Sequence, residues 1–159
     1  MIPRVGLGFD VHRRDESRPL ALGGVRFDGE PGLAGHSDAD VVCHAVGEAL
    51  LGAAALGDLG RHFPDDDPAT DGMGGLDLLA RCVELAAAAG FRPASCDLTV
   101  IADRPAIAPR REEIAAGLAS ALTREAGAVS VKATRPEGLG LKGDGAACMA
   151  VVVAVERER

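Results

Sequence analysis

Along the first dozen residues Val5, Leu7, Phe9 and Val11 interleave with Arg4, Gly6, Gly8, Asp10 and His12, which is the period of a half-buried strand. Side chains two apart on a strand share a face, so Asp10 and His12 project together. Gly6 and Gly8 leave that same face bare, open to close approach by a ligand or another backbone. Further on the period lengthens: Val42, Val46, Ala49, Leu50 and Ala53 predict a helix from Asp40 to about Ala55, with Ser37 or Asp38 as its N-cap. Between the two, Leu20 to Asp28 carries Gly23-Gly24 and reads as a hairpin.

The later pattern alternates in the same way. Gly57 to Gly75 is polar and glycine-rich and reads as a long loop. Leu76, Leu79, Ala80, Val83 and Ala87 predict a second helix with Gly90 at its C-terminal end, and Asp97 to Ala102 a strand with Leu98 and Val100 on one face. Pro109 suits the first turn of a third helix carried by Ile114, Leu118, Ala121 and Leu122 and ended by Gly127. Val129 to Thr134 and Ala146 to Glu156 read as closing strands. The expected class is α/β (α+β), a mixed β-sheet with helices packed on one face, in a single domain over residues 1–159.

Composition removes several function classes. With four Phe, no Trp or Tyr and a net charge of -7, the chain lacks both the stacking platforms and the basic surface that nucleic-acid binding relies on. The longest apolar run, Ala146 to Val155, falls short of the roughly 20 residues of a membrane span, and Met1-Ile2-Pro3-Arg4 opens no signal peptide. Cys43, Cys82, Cys96 and Cys148 have no paired spacing, which suits reduced thiols in a cytoplasmic protein. Cys43 adjoins His44 but points about 100° away from it on a helix, so it is expected in the core.

The candidate chemistry lies where strand meets helix. Asp10 and His12 from the strand and His44 from the helix make three ligands with an open position, the count of many catalytic zinc sites. Two ordinary histidines, with Asp40 complementing the helix dipole, fit the same spacing. Three loops add polar groups: Gly57-Asp58-Leu59-Gly60 with Phe63-Pro64-Asp65-Asp66-Asp67-Pro68, then 102–109 after a strand, then Lys132 to Gly140. Each alone also fits a solvated surface loop.

Taken in order, Gly-Phe-Asp-Val-His at 8–12, His-Ser-Asp-Ala-Asp-Val at 36–41, Leu-Leu-Gly-Ala-Ala-Ala-Leu-Gly-Asp-Leu-Gly at 50–60, Phe-Pro-Asp-Asp-Asp-Pro at 63–68 and Lys-Ala-Thr at 132–134 closely resemble the 2-C-methyl-D-erythritol 2,4-cyclodiphosphate synthase family. The resemblance runs over essentially the whole chain. It implies a lyase of the non-mevalonate isoprenoid route, a homotrimer with active sites between subunits, and release of CMP from a cytidine diphosphate substrate. It implies Zn2+ on Asp10, His12 and His44, and a second divalent cation, Mg2+ or Mn2+, near Glu137.

By the same resemblance, Asp10, Val11 and His12 are substrate-binding, His36 and Ser37 meet the substrate phosphates, and His36, Arg135 and Glu137 stand in catalytic positions. Asp58, Leu59 and Gly60 hold the ribose, and Phe63, Pro64, Asp65, Asp66 and Asp67 line the erythritol pocket. Ala102, Asp103, Arg104, Pro105, Ala106, Ile107 and Ala108 cradle the cytosine, while Thr134, Arg135, Pro136 and Glu137 meet the nucleotide phosphates, with Leu141 and Lys142 beyond them.

The sequence departs from the family in the nucleotide half. Arg135-Pro136 replaces a run of threonines, and loss of one transition-state donor can cost about 3 kcal/mol. Arg135 offers charge-assisted bonds instead, but Pro136 has no backbone N–H. Ala106 stands where lysine is common. Residues 141–145 are about two shorter than the family's Gly-Arg-Gly-Glu-Gly, leaving its arginine no counterpart but Lys142. The alternatives are a trimeric metal- or nucleotide-binding protein without turnover and a zinc-dependent phosphohydrolase.

Overall fold

The computed structural model describes residues 2–35, 37–64, 66–122, 128–140 and 144–157. Five strands form one sheet in the order β2-β1-β5-β3-β4: β1 (Arg4–Leu22), β2 (Val25–Leu33), β3 (Phe91–Ile101), β4 (Val129–Thr134) and β5 (Gly145–Glu156). Only β3 and β4 run parallel, joined through α4 (Arg111–Leu122), and the other neighbours are antiparallel. The fold is therefore mixed α+β, with α1 (Val41–Ala53) against β1 and β5, α3 (Gly75–Ala88) against α1, and α4 along β4. Gly127 and its neighbours 123–126, expected to end α4, lie outside the described residues.

The face of β1 that Gly6 and Gly8 leave bare is the inner one, and another backbone approaches it closely, one of the two outcomes the sequence allowed. Val5, Leu7, Phe9 and Val11 are 66%, 64%, 52% and 46% exposed, while Gly6 and Gly8 are buried. The glycine face receives α1: an added Cβ at Gly6 would stand 1.8 Å from the Ala49 carbonyl oxygen. Backbone packs on backbone there, and the apolar side chains are left on the outer face. Leu7 pairs with Val151 and Phe9 with Met149 across β1 and β5, so that face carries a continuous apolar stripe.

The start of α1 does differ from the sequence reading. Its N-cap is Asp40, whose carboxylate accepts from the N–H groups of Val42 and Cys43, and from Gly23 and Gly24 across the core. Four backbone N–H groups satisfy this fully buried side chain and tie the hairpin turn, with φ of +61° and +76° at its glycines, to the helix start. Asp38, expected as an alternative cap, instead accepts from Gly75 at the start of α3 and from Asp40 N–H.

Elsewhere the elements run longer than their patterns. β3 begins at Phe91 rather than Asp97, since Pro93 interrupts the alternation at a register shift, and the 57–75 loop contains α2 (Leu59–His62) and a 3-10 turn at Pro68–Thr70. Gly90 follows α3 at φ +88°, as its place past the helix end requires. All four cysteines are free and buried, and burial pushes the Cys82 and Cys96 thiols up to about 12. Among the described residues, no helix is long and apolar enough to cross a membrane.

Candidate active site

The buried glycines of β1 set the height at which α1 crosses the strand, and the crossing brings His44 over Asp10. Asp10 Oδ2 lies 2.9 Å from His12 Nε2 and 3.1 Å from His44 Nδ1. These three side chains form a group whose donor atoms all lie within 4.8 Å of one another, and no other such group of His, Cys, Asp or Glu occurs among the described residues. All three are half-buried.

The outer ring nitrogens fix how the two histidines face inward. His12 Nδ1 lies 2.5 Å from the Ala34 carbonyl oxygen, which only accepts, so Nδ1 carries the proton and Nε2 is turned to the group. His44 Nε2 meets Ser37 Oγ at 3.2 Å, leaving Nδ1 turned inward. A carboxylate with two imidazoles, each oriented by an outer hydrogen bond, is the donor set and supporting shell of a divalent transition-metal site. The residues present thus fit a metal ion.

Charge in the cluster is strongly coupled. Burial alone would raise the Asp10 carboxyl, but hydrogen bonds from His12 and His44 and their charges outweigh it and hold it well below the usual carboxylate range. His12 is raised above its ordinary value, chiefly by its hydrogen bond to Asp10, against the opposing effect of burial. Cys43 stays in the core, with Sγ 3.4 Å from Asp40 Oδ2, and takes no part.

A cavity of about 260 Å³ opens over the cluster, lined by Asp10, His12, Gly35, Ser37, His44, Leu59, Gly60, Phe63, Thr70 and Leu78. Leu59, Gly60 and Phe63, named from sequence as substrate-binding residues, are among its lining. Gly35, Thr70 and Leu78 were not legible beforehand, because only the fold brings them there. A second recess of about 300 Å³ adjoins it, where Asp58 joins Asp10, His44 and Glu48. Asp58 also caps α2 by accepting from Arg61 N–H, and Glu48 accepts from Leu59 N–H, so α2 is docked on α1.

Several expected contacts fall elsewhere. The side chain of Val11 points to the outer sheet face, because it alternates with Asp10 and His12. Pro64, Asp66 and Asp67 are exposed and do not line the cavity over the Asp10, His12 and His44 cluster. His36 and Asp65 lie outside the described residues, as do Leu141 and Lys142.

The loop at 102–108 and the end of β4 gather around a separate cavity of about 210 Å³, which shares no lining residue with the first. Ala102, Asp103, Pro105, Ala106, Ile107 and Ala108 line it with Ala133, Thr134 and Arg135, together with Arg111, which sequence reasoning did not single out. Arg104 turns outward toward Glu30, at 3.8 Å, and its bond to Pro105 is cis. Pro136 is buried, and Glu137 is exposed on a turn at φ +53°. Two walls of the cavity are thus a loop backbone and a cationic strand end, suited to a flat polar group and an anion.

The YgbB family model matches residues 3–156. A curated relative from Anaeromyxobacter sp. (strain Fw109-5), named bifunctional enzyme IspD/IspF, is 55% identical over 153 residues, 95% of this chain. The chain spans 39% of that relative's length. A Salinibacter ruber protein named 2-C-methyl-D-erythritol 2,4-cyclodiphosphate synthase is 53% identical over 140 residues, covering 88% of this chain and 89% of its own. A solved structure of 2C-methyl-D-erythritol-2,4-cyclodiphosphate synthase in its CDP-bound form superposes with a TM-score of 0.87 at 33% identity, over 96% of this chain and 100% of that one.

Proposed function

The chain belongs to the YgbB family, and from that premise we propose that it is a lyase converting 4-diphosphocytidyl-2-C-methyl-D-erythritol 2-phosphate to 2-C-methyl-D-erythritol 2,4-cyclodiphosphate and CMP. The observation that carries this is the Asp10, His12 and His44 cluster, oriented by Ala34 and Ser37 at the mouth of a cavity that Gly60 and Phe63 also line. In the reaction an oxygen of the 2-phosphate attacks the β-phosphorus. The bond from that phosphorus to the bridging oxygen breaks, and CMP leaves with the bridging oxygen and its electron pair.

Such a transfer needs alignment and charge neutralisation more than proton chemistry. A divalent ion held by Asp10, His12 and His44, which we take to be zinc, supplies Lewis-acid neutralisation of phosphate charge when bound. Ser37 and His36 contact the phosphates, and Asp58, Leu59 and Gly60 hold the ribose. The 102–108 backbone receives the cytosine, and the CDP-bound form of a relative is in keeping with a cytidine nucleotide as ligand. Thr134 and Arg135 meet the nucleotide phosphates, with Arg135 giving the charge-assisted bonds that threonine hydroxyls give elsewhere. Glu137 holds the second cation, magnesium or manganese.

We further propose a cytoplasmic homotrimer of single-domain subunits. The apolar stripe of Val5, Leu7, Phe9, Val11, Met149 and Val151 supports assembly, since a bare apolar sheet face of this kind calls for a partner.

Crystals soaked with CDP and measured at the zinc absorption edge test the reading. It requires an anomalous peak between Asp10, His12 and His44, and CDP density against residues 102–108. Zinc at another position, or CDP bound away from that loop, overturns it.

A further inference from the structure

The loop that we assign to the cytosine is anchored at its ends by its own neighbourhood: Ala102 N–H donates to Thr134 O at 3.2 Å, and Arg110 N–H to Ile107 O at 3.0 Å. Its middle is held differently. Among the described residues, the one hydrogen bond to the backbone of 103–106 comes from Arg14, whose Nη2 donates to the Arg104 carbonyl. The other arm of the same guanidinium donates to Pro31 O at 3.0 Å, on β2.

Arg14 is placed for this by the strand that carries the metal ligands. Alternation along β1 puts residues 10, 12 and 14 on the helix side, and Arg14 is half-buried there. Its backbone is fixed by pairing with Leu33 and by donation from its N–H to Asp144 O at 2.6 Å. The guanidinium Nε is buried with no hydrogen-bond partner, so the side chain reaches the loop as a partly desolvated cation and gives its donors to carbonyls. Glu30, whose carboxylate lies 3.8 Å from Arg104 Nε, adds an ion pair to the same residue of the loop.

We propose that Arg14 is a positioning residue for the nucleotide loop: by forking between the carbonyls of Pro31 and Arg104 it holds the middle of residues 102–108 in the shape that binds the pyrimidine. The proposal rests on the assignment of that loop to the cytidine nucleotide. Its consequence is that one strand serves both halves of the chemistry, the metal through Asp10 and His12 and the nucleotide through Arg14.

The test is calorimetric titration of CDP into wild-type protein, Arg14→Met and Arg14→Lys, each loaded with zinc and checked for its melting transition. Arg14→Met lets the loop wander, and if the competent population falls to about a tenth, the CDP dissociation constant rises about tenfold. Zinc content stays that of wild type. With substrate, KM rises while kcat at saturation is little changed, a split that general loss of structure does not give. Arg14→Lys keeps bulk and charge but cannot fork between two carbonyls, and falls between the two.

A folded Arg14→Met that binds CDP as tightly as wild type overturns the proposal. If Arg14→Met does not fold, Arg14→Lys at wild-type affinity overturns it equally. Wild-type protein that binds no CDP contradicts the loop assignment itself, and the role of Arg14 with it.

Discussion

Gly8 of β1 and Ala45 of α1 touch backbone to backbone: a Cβ on Gly8 would lie 1.9 Å from the Ala45 carbonyl oxygen. Ala45 follows His44, so the missing side chain at Gly8 sets how closely His44 can approach Asp10, two residues along the strand. Gly8→Ala is therefore expected to push α1 outward and destabilise the fold by about 3 kcal/mol, the upper part of the usual overpacking range. Denaturant unfolding measures this, and zinc affinity of the folded fraction should fall with it.

Ser37→Ala tests the outer hydrogen bond of the cluster. The serine hydroxyl lies 3.2 Å from His44 Nε2 and orients the ring without being a ligand. Loss of such a partner is expected to weaken zinc binding by about 10–100-fold with little change in the melting temperature of the metal-free protein. Competition against a chromogenic chelator reads the affinity.

The pH dependence of zinc binding follows from His12. In the metal-free protein His12 is raised above 6.5, so its contribution to stability is complete below that value and is lost as pH rises through the raised one. Asp10 is depressed below 3.8, and its contribution is present above 3.8 and lost as pH falls toward the depressed value. Zinc needs His12 unprotonated, so its affinity climbs as pH rises through the raised value. Melting curves with and without zinc should draw apart over that range.

The outer face of the sheet gives the assembly prediction. Leu7 is 64% exposed in the single chain and pairs with Val151 in the apolar stripe. Leu7→Asp places a charge at the centre of the proposed interface and little strain within the subunit. Sedimentation should show wild type at three-fold subunit mass and the variant as smaller species with unchanged circular dichroism.

The metal half of the site was legible because it obeys two local periods: spacing of two on β1 joins Asp10 to His12, and the helical run places His44 beyond it. What meets the glycine face of β1 was not: the bare face allowed a ligand or another backbone, and the structure gives it to the backbone of α1, with Val5, Leu7, Phe9 and Val11 outside. The N-cap was misplaced because Asp40 is chosen by the hairpin turn at Gly23 and Gly24, distant in sequence. Arg14 was invisible for a similar reason: its partners are carbonyls, and every residue has one. Arg111 was missed because it reaches the cavity beside residues 102–108 only through the fold.

The proposed reaction is tested most directly by its products. Purified protein with zinc and magnesium, given 4-diphosphocytidyl-2-C-methyl-D-erythritol 2-phosphate and followed by phosphorus-31 NMR, should produce 2-C-methyl-D-erythritol 2,4-cyclodiphosphate and CMP in equal amounts. Inorganic phosphate as the product, or bound substrate without turnover, would contradict it.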